Sequence, residues 1–186
     1  MTCIQRRTNL PNRGLQMNLA YVTLQGRGRI DALIAEVAAR LAAEGVRLAG
    51  TVQSNIERPN RRKCDMDLKI LPDGPVVRIS EDRGDLARGC ILDSGALEQT
   101  VVAVQQRLAD ADVLVINKFG KREAEGKGLV PVIAEALDLG LPVLIGVNGL
   151  NLAAFLVFAG EEAVALPTDP RIVADWCKSA VVIVVV

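Results

Sequence analysis

A chain of 186 residues and 19.9 kDa holds material for one domain, at roughly 100 to 200 residues per domain. Half of the residues are apolar, 24% are charged and only 3% are aromatic, which excludes intrinsic disorder for the bulk of the chain and predicts an aliphatic core of the kind that fills a buried parallel sheet. Twenty-two basic residues balance twenty-two acidic ones, so no global field draws nucleic acid or an anionic membrane, and the absence of histidine removes the commonest general base and every imidazole metal ligand.

Met1 to Gln16 carries three arginines but no apolar stretch of signal-peptide length, and is expected to be a leader that precedes the fold. From Met17 to Lys178 the pattern predicts a single α/β domain. Leu19 to Leu24 reads as a strand, Gln25 to Arg29 as a glycine-containing loop, and Ile30 to Glu44 as a helix, because Leu33, Ile34, Val37, Ala38 and Leu41 recur at the helical period. Val46 to Val52 returns as a strand, and the polar, basic stretch Ser54 to Lys63 reads as a loop. Asp65 to Leu71 alternates with period two and is joined through Pro72 to Pro75 to Val76 to Ser80, which predicts a β-hairpin. Glu81 to Cys90 reads as an irregular loop, Asp93 as the N-cap of a helix reaching about Leu108, and Val113 to Ile116 as a fully apolar strand. A helix from Leu129 to Leu139, a strand from Leu141 to Val147, a helix from Asn148 to Phe158, a short strand at Ala163 to Leu166 and a helix from Asp169 to Lys178 complete the alternation. The apolar segment 179–186 is too short to cross a membrane, which needs about twenty residues, and reads as an edge strand or a tail. The whole predicts a three-layer α/β domain with a mostly parallel central sheet interrupted by one hairpin.

Ligands in such sheets bind beyond the carboxyl ends of the strands, so the loops after Leu24 and after Ile116 are the informative ones. In the first, Gly26 and Gly28 permit a tight turn into a helix N-terminus, whose exposed N–H groups favour an anion, while Arg27 and Arg29 add charge. The second presents Asn117, Lys118 and Lys121. Arg83 and Arg88 lie in a glycine-containing loop suited to a lid over a bound anion. Glu123 and Glu125 form a candidate carboxylate pair that solvation explains as well. The four cysteines form no CxxC pair, so no metal site is expected, and a thiol pair of Cys64 and Cys90 competes with their reading as small buried apolar groups. This cysteine usage fits a reducing, cytoplasmic setting.

The order of strand, loop, helix and hairpin, followed by Val113-Leu114-Val115-Ile116-Asn117-Lys118-Phe119-Gly120-Lys121, resembles the small P-loop nucleoside-triphosphatases. More closely, Arg62 to Leu68, Arg88 to Asp93 and Asn117 to Lys121 resemble an uncharacterised bacterial family allied to them and often encoded near molybdate-transport genes. The resemblance implies a P-loop-type fold over Met17 to Cys177. It also implies where that chemistry is missing. A working phosphate loop ends in Gly-Lys-Ser/Thr; aligned on the following helix, the lysine position holds Ile30 and the hydroxyl position Asp31, and the two acids expected after the second strand are Asn117 and Lys118. Phosphoryl transfer would lack its charge stabilisation.

The leading expectation is a degenerate binding or regulatory module for a small anionic ligand, a phosphate, nucleotide or oxyanion, held by Gly26, Arg27, Gly28, Arg29, Asp31, Asn117, Lys118 and Lys121. No other cofactor is implied, and the link to molybdate comes from the resemblance alone. One rival is a nucleoside triphosphatase or kinase of unusual design, with Lys118 or Lys121 replacing the loop lysine and Asp31 holding the metal. The other is a scaffold, a homo-oligomer or a protein partner's docking module, joined through the apolar C-terminus.

Overall fold

Three apolar runs, Leu19–Thr23 (β1), Val113–Phe119 (β7) and Val143–Val147 (β8), form the centre of a seven-stranded sheet, because residues that are apolar on both faces of a strand are satisfied only between two layers of helix. The computed structural model describes residues 18–57, 64–81 and 91–181. In chain order the other elements are α1 (Arg29–Ala43), β2 (Leu48–Glu57), β3 (Cys64–Leu71), β4 (Val76–Arg78), β5 (Ser80–Glu81), β6 (Ile91–Leu92), α2 (Ser94–Gln105), α3 (Lys121–Ala124), α4 (Val130–Asp138), α5 (Leu152–Ala159), β9 (Val164–Ala165) and α6 (Pro170–Ala180). The sheet runs β4-β3-β2-β7-β8-β1-β9, parallel from β2 to β9 and antiparallel at β3 and β4; β5 and β6 pair separately. The predicted three-layer, mostly parallel architecture with a hairpin is the one observed.

The period-two rule assigns the faces. Val113 and Val115 of β7 join α1 and α6 in a core of Ile34, Val37, Leu41, Val173 and Cys177. Leu114 and Ile116 face the opposite way, onto Val104 of α2, Val132 and Ile133 of α4, and Phe155 of α5. The few aromatic rings are concentrated here, with Phe155 centred 5.0 Å from Tyr21 and 5.3 Å from Phe119. Burial pushes the Cys177 thiol up to about 12, which fits its packing role. No helix among the described residues is long and apolar enough to cross a membrane.

Several boundaries differ from the expected ones, four of them as follows. Ser54 to Glu57, expected as loop, continues β2, because β3 supplies a partner at every position from Gly50↔Leu71 to Glu57↔Cys64 and backbone pairing does not require apolar side chains. The strand expected to stop at Ile116 runs on to Phe119, a buried residue that anchors its end. The helix expected from Asn148 starts at Leu152, after a turn in which Asn148 Oδ1 accepts the Asn151 N–H. Finally, α6 runs through Ser179 to Ala180, so the expected tail begins later. The leader 1–16, the Arg83 and Arg88 lid and Cys90, one member of the expected thiol pair, lie outside the described residues.

At the opposite edge from the glycine loop, Asp112 ties the start of β7 to the residue before β2: its carboxylate accepts the Arg47 backbone N–H at 2.9 Å and Arg47 Nε at 3.1 Å. The Arg47 side-chain hydrogen bond holds the Asp112 carboxyl below its ordinary range. A carboxyl depressed in the folded state contributes stability that is complete above its unfolded pKa, about 3.9, and is lost as pH falls through the folded value. The stability difference between wild type and Asp112→Asn should therefore be constant above about pH 5, near 1 kcal/mol because Arg47 is largely exposed, and shrink toward zero below about pH 3. Urea denaturation at pH 7 and pH 3 measures it; an undiminished difference at pH 3 would remove the ion pair as its source.

Candidate functional site

Two backbone irregularities open a crevice at the carboxyl edge of the sheet. The first separates β2 from β7. Their ladder ends at Gly50↔Val115, and beyond it the Asn117 side chain fills the gap, its Oδ1 accepting the Gln53 N–H at 2.9 Å. The second is a bulge: between Ile116↔Ile145 and Phe119↔Val147, residues 117–119 of β7 face only residues 146–147 of β8. Gly146 allows it, since a Cβ there would lie 2.2 Å from the Asn117 carbonyl oxygen. In a regular strand Asn117 and Lys118 would point to opposite faces; with the bulge both side chains reach the same carboxylate.

That carboxylate is Asp31, in the first turn of α1 and 4% exposed. Its Oδ1 accepts Asn117 Nδ2 at 2.8 Å and pairs with Lys118 Nζ at 2.9 Å, and its Oδ2 accepts Asn55 Nδ2 at 2.7 Å. Gln53 Nε2 donates to Asn55 Oδ1 at 2.8 Å, closing the network. Burial of a carboxylate at this depth is tolerated because these three partners are all donors, and because a negative charge suits the positive end of a helix.

Above this network lies a cleft of about 600 Å³, lined by the loop from Leu24 to Gly28, by Asp31, by Gln53 and Asn55 of β2, by Lys118 of β7, and by Asn148 to Leu150 after β8. Gly28 takes a left-handed conformation, φ 72°, at the N-cap of α1, and as a glycine it supplies no side-chain cap of its own. The helix start lines the cleft, and the first N–H groups of a helix have no partner within it. Gly26 is left-handed too, and a Cβ there would meet Arg29 Cδ at 2.7 Å.

Of the residues expected to act together, Gly26, Arg27, Gly28, Asp31 and Lys118 line the cleft. Asn117 is 1% exposed and serves the cleft from below as a brace. Arg29 turns back toward the Gln25 carbonyl at 3.4 Å and is not part of the lining. Lys121 is corrected outright: it starts α3 with its side chain 88% exposed, 3.9 Å from Glu125, because Gly120 carries the chain out of β7. Lys118 also differs from expectation in being paired within the chain. Glu123, considered for acid–base work, is a brace: its Oε2 accepts the Gly120 N–H at 2.9 Å and its Oε1 the Leu129 N–H at 3.1 Å. Gln53, Asn55 and Asn148 were not expected at the site. The alternation Gln53-Ser54-Asn55, which places both carboxamides on one face of a strand, was the available signal.

A family model described as "Protein of unknown function (DUF2478)" matches residues 19–176. Molybdenum import ATP-binding protein ModC 2 of Bradyrhizobium diazoefficiens is 33% identical over 169 residues, covering 90% of this chain but 18% of that protein, so the chain spans less than a fifth of the relative's length. The solution structure of a human cancer-related nucleoside triphosphatase matches with a TM-score of 0.55 and 18% identity, covering 80% of this chain and 87% of the other. At that identity the likeness concerns the fold alone, a mostly parallel α/β sheet flanked by helices. Extending from β1 almost to the end of α6, the family match decides membership: the chain belongs to the family of proteins of unknown function DUF2478.

Proposed function

We propose that this domain is a binding or regulatory module that takes an anionic ligand, a phosphate, nucleotide or oxyanion, in the cleft at the start of α1 and does not hydrolyse it efficiently. The observation that carries the reading is the N-terminus of the 15-residue α1, with a glycine at its N-cap, opening onto a cleft edged by Arg27 and Lys118. Helix N–H groups and two cationic side chains favour an anion, and Lys118 keeps ammonium hydrogens beyond the one directed at Asp31. Turnover is disfavoured because the position of the loop lysine is Ile30, 2% exposed and packed in the core, and the position of the hydroxyl is the bonded Asp31. The import function in the name of the Bradyrhizobium relative makes molybdate one oxyanion to try.

ATP and GTP turnover should stay at background in a phosphate-release assay. Sulfate, phosphate, molybdate or a nucleotide should raise the melting temperature in a salt-sensitive way, and Arg27→Ala should weaken that effect by about 1 to 3 kcal/mol. Turnover that scales with protein and disappears in Asp31→Ala would establish the enzyme reading instead. A second reading, a contact module, is favoured by one feature: Leu150 and Val157, just before and within α5, are 94% and 86% exposed. It would be dropped if Val157→Glu eluted from size exclusion as wild type does at every concentration.

A further inference from the structure

The fold implies a divalent cation, and the residues of this cleft do not fit one. In an active phosphate loop a hydroxyl at the helix start and an acid at a neighbouring strand end hold Mg²⁺ through oxygen lone pairs. Here the equivalent groups are Asp31 and the Asn117–Lys118 pair, and among the described residues the side chains bonded to Asp31, those of Asn55, Asn117 and Lys118, all present N–H. The orientation of Asn117 is fixed independently, because its Oδ1 accepts the Gln53 backbone N–H and only its Nδ2 remains for the carboxylate. Asn55 is held the same way, with Oδ1 on Gln53 Nε2 and Nδ2 on Asp31. Lys118 Nζ, 2.9 Å from Asp31 Oδ1, supplies the positive charge on the remaining side.

We propose that the Lys118 ammonium is a tethered counter-ion that replaces the divalent cation of this fold and excludes it from the cleft; as to what the cleft binds, the proposal rests on the anion reading above, and specifies a ligand that enters free of metal. The charge count supports the exchange. A carboxylate paired with one ammonium is neutral, whereas a divalent cation added beside it would stand within a few ångströms of that ammonium and be repelled by it. The bulge at Asn117–Lys118 is the backbone feature that makes the exchange work, since it brings the brace and the counter-ion to one oxygen.

The test is a Mn²⁺ titration of the full chain, followed by electron paramagnetic resonance with no anion added beyond chloride. Wild type and Lys118→Arg should bind no Mn²⁺ below millimolar concentration. Lys118→Met, and in parallel Lys118→Gln in case the methionine variant does not fold, should gain Mn²⁺ affinity by at least about tenfold, because an acid with two carboxamide neighbours is left without its cation. Adding Asp31→Asn should abolish the gain. Mn²⁺ should also raise the melting temperature of Lys118→Met and leave that of wild type unchanged. Micromolar Mn²⁺ binding by wild type that Asp31→Asn removes would overturn the proposal, as would folded Lys118→Met and Lys118→Gln that gain nothing. A parallel melt with inorganic pyrophosphate in EDTA separates the two readings. Stabilisation by pyrophosphate only when Mg²⁺ is supplied would overturn the counter-ion, whereas the predicted Mn²⁺ pattern with no response to pyrophosphate would support the counter-ion and sink the anion reading alone.

Discussion

Gly50→Ala is expected to cost more stability than any other single methyl added to this sheet, at least about 4 kcal/mol, with a fall in melting temperature of about 10 °C or more for a chain of this size. Gly50 is the last residue of β2 paired with β7, at φ 123°, and a Cβ there would lie 1.8 Å from the Val115 carbonyl oxygen and 2.7 Å from its carbon. The neighbour is backbone in the central strand, so it cannot rotate away as a side chain would. Two controls divide the cost. Gly45→Ala has a similar left-handed φ, 80°, with nothing within 4 Å, and should lose only about 1 kcal/mol, the backbone term alone. Gly146→Ala has no positive φ but would bring its Cβ 2.2 Å from the Asn117 carbonyl oxygen and 3.0 Å from Ile30 Cγ1, so it should measure the close approach alone and loosen the bulge that aims Lys118. Urea denaturation of the three variants gives the ordering. If Gly50→Ala cost no more than Gly45→Ala, β2 and β7 would not be held at this distance in solution.

The fold was legible because its information is local. The apolar runs at β1, β7 and β8, the helical period of Leu33, Ile34, Val37 and Leu41, and the Asp93 cap, whose carboxylate accepts the Ala96 N–H at 3.0 Å, each need only a few adjacent residues to be recognised. The extension of β2 was not legible, because the polarity of Gln53 to Asn55 argues for a loop and only pairing with β3, a separate segment of the chain, overrides it. At the site, the glycine loop and Asp31 were visible as departures from a phosphate-loop pattern. The pairing of Asp31 with Lys118 was not. It depends on one extra residue in β7 opposite Gly146, and period-two reasoning places Asn117 and Lys118 on opposite faces unless that bulge is known. Lys121 shows the same limit from the other side: its place three residues beyond Lys118 suggests a shared site, but the turn at Gly120 sends it into solvent.

The second large effect is expected from breaking the Asp31–Lys118 pair one partner at a time. Asp31→Leu removes a carboxylate whose side chain is 5% exposed and leaves Asn117 Nδ2 and Asn55 Nδ2 without their acceptor and the Lys118 ammonium without its counter-charge, and should cost about 3 kcal/mol. Lys118→Met should cost less, about 2 kcal/mol, because the lysine side chain is 26% exposed and Asp31 retains two carboxamide donors. The double variant, Asp31→Leu with Lys118→Met, is the informative one. With both charges gone, the two introduced apolar side chains would pack beside Ile30 and the hydrocarbon of the crevice, so the pair should cost less than the sum of the singles, with a coupling of about 1 to 3 kcal/mol. Lys118→Arg, which keeps the charge but not the shape, should fall between wild type and Lys118→Met. Equilibrium denaturation of wild type, the two singles and the double completes the cycle. A coupling below about 0.5 kcal/mol would mean that solvent already screens the pair, and the contact between Asp31 and Lys118 would then have no part in holding β7 against the first turn of α1.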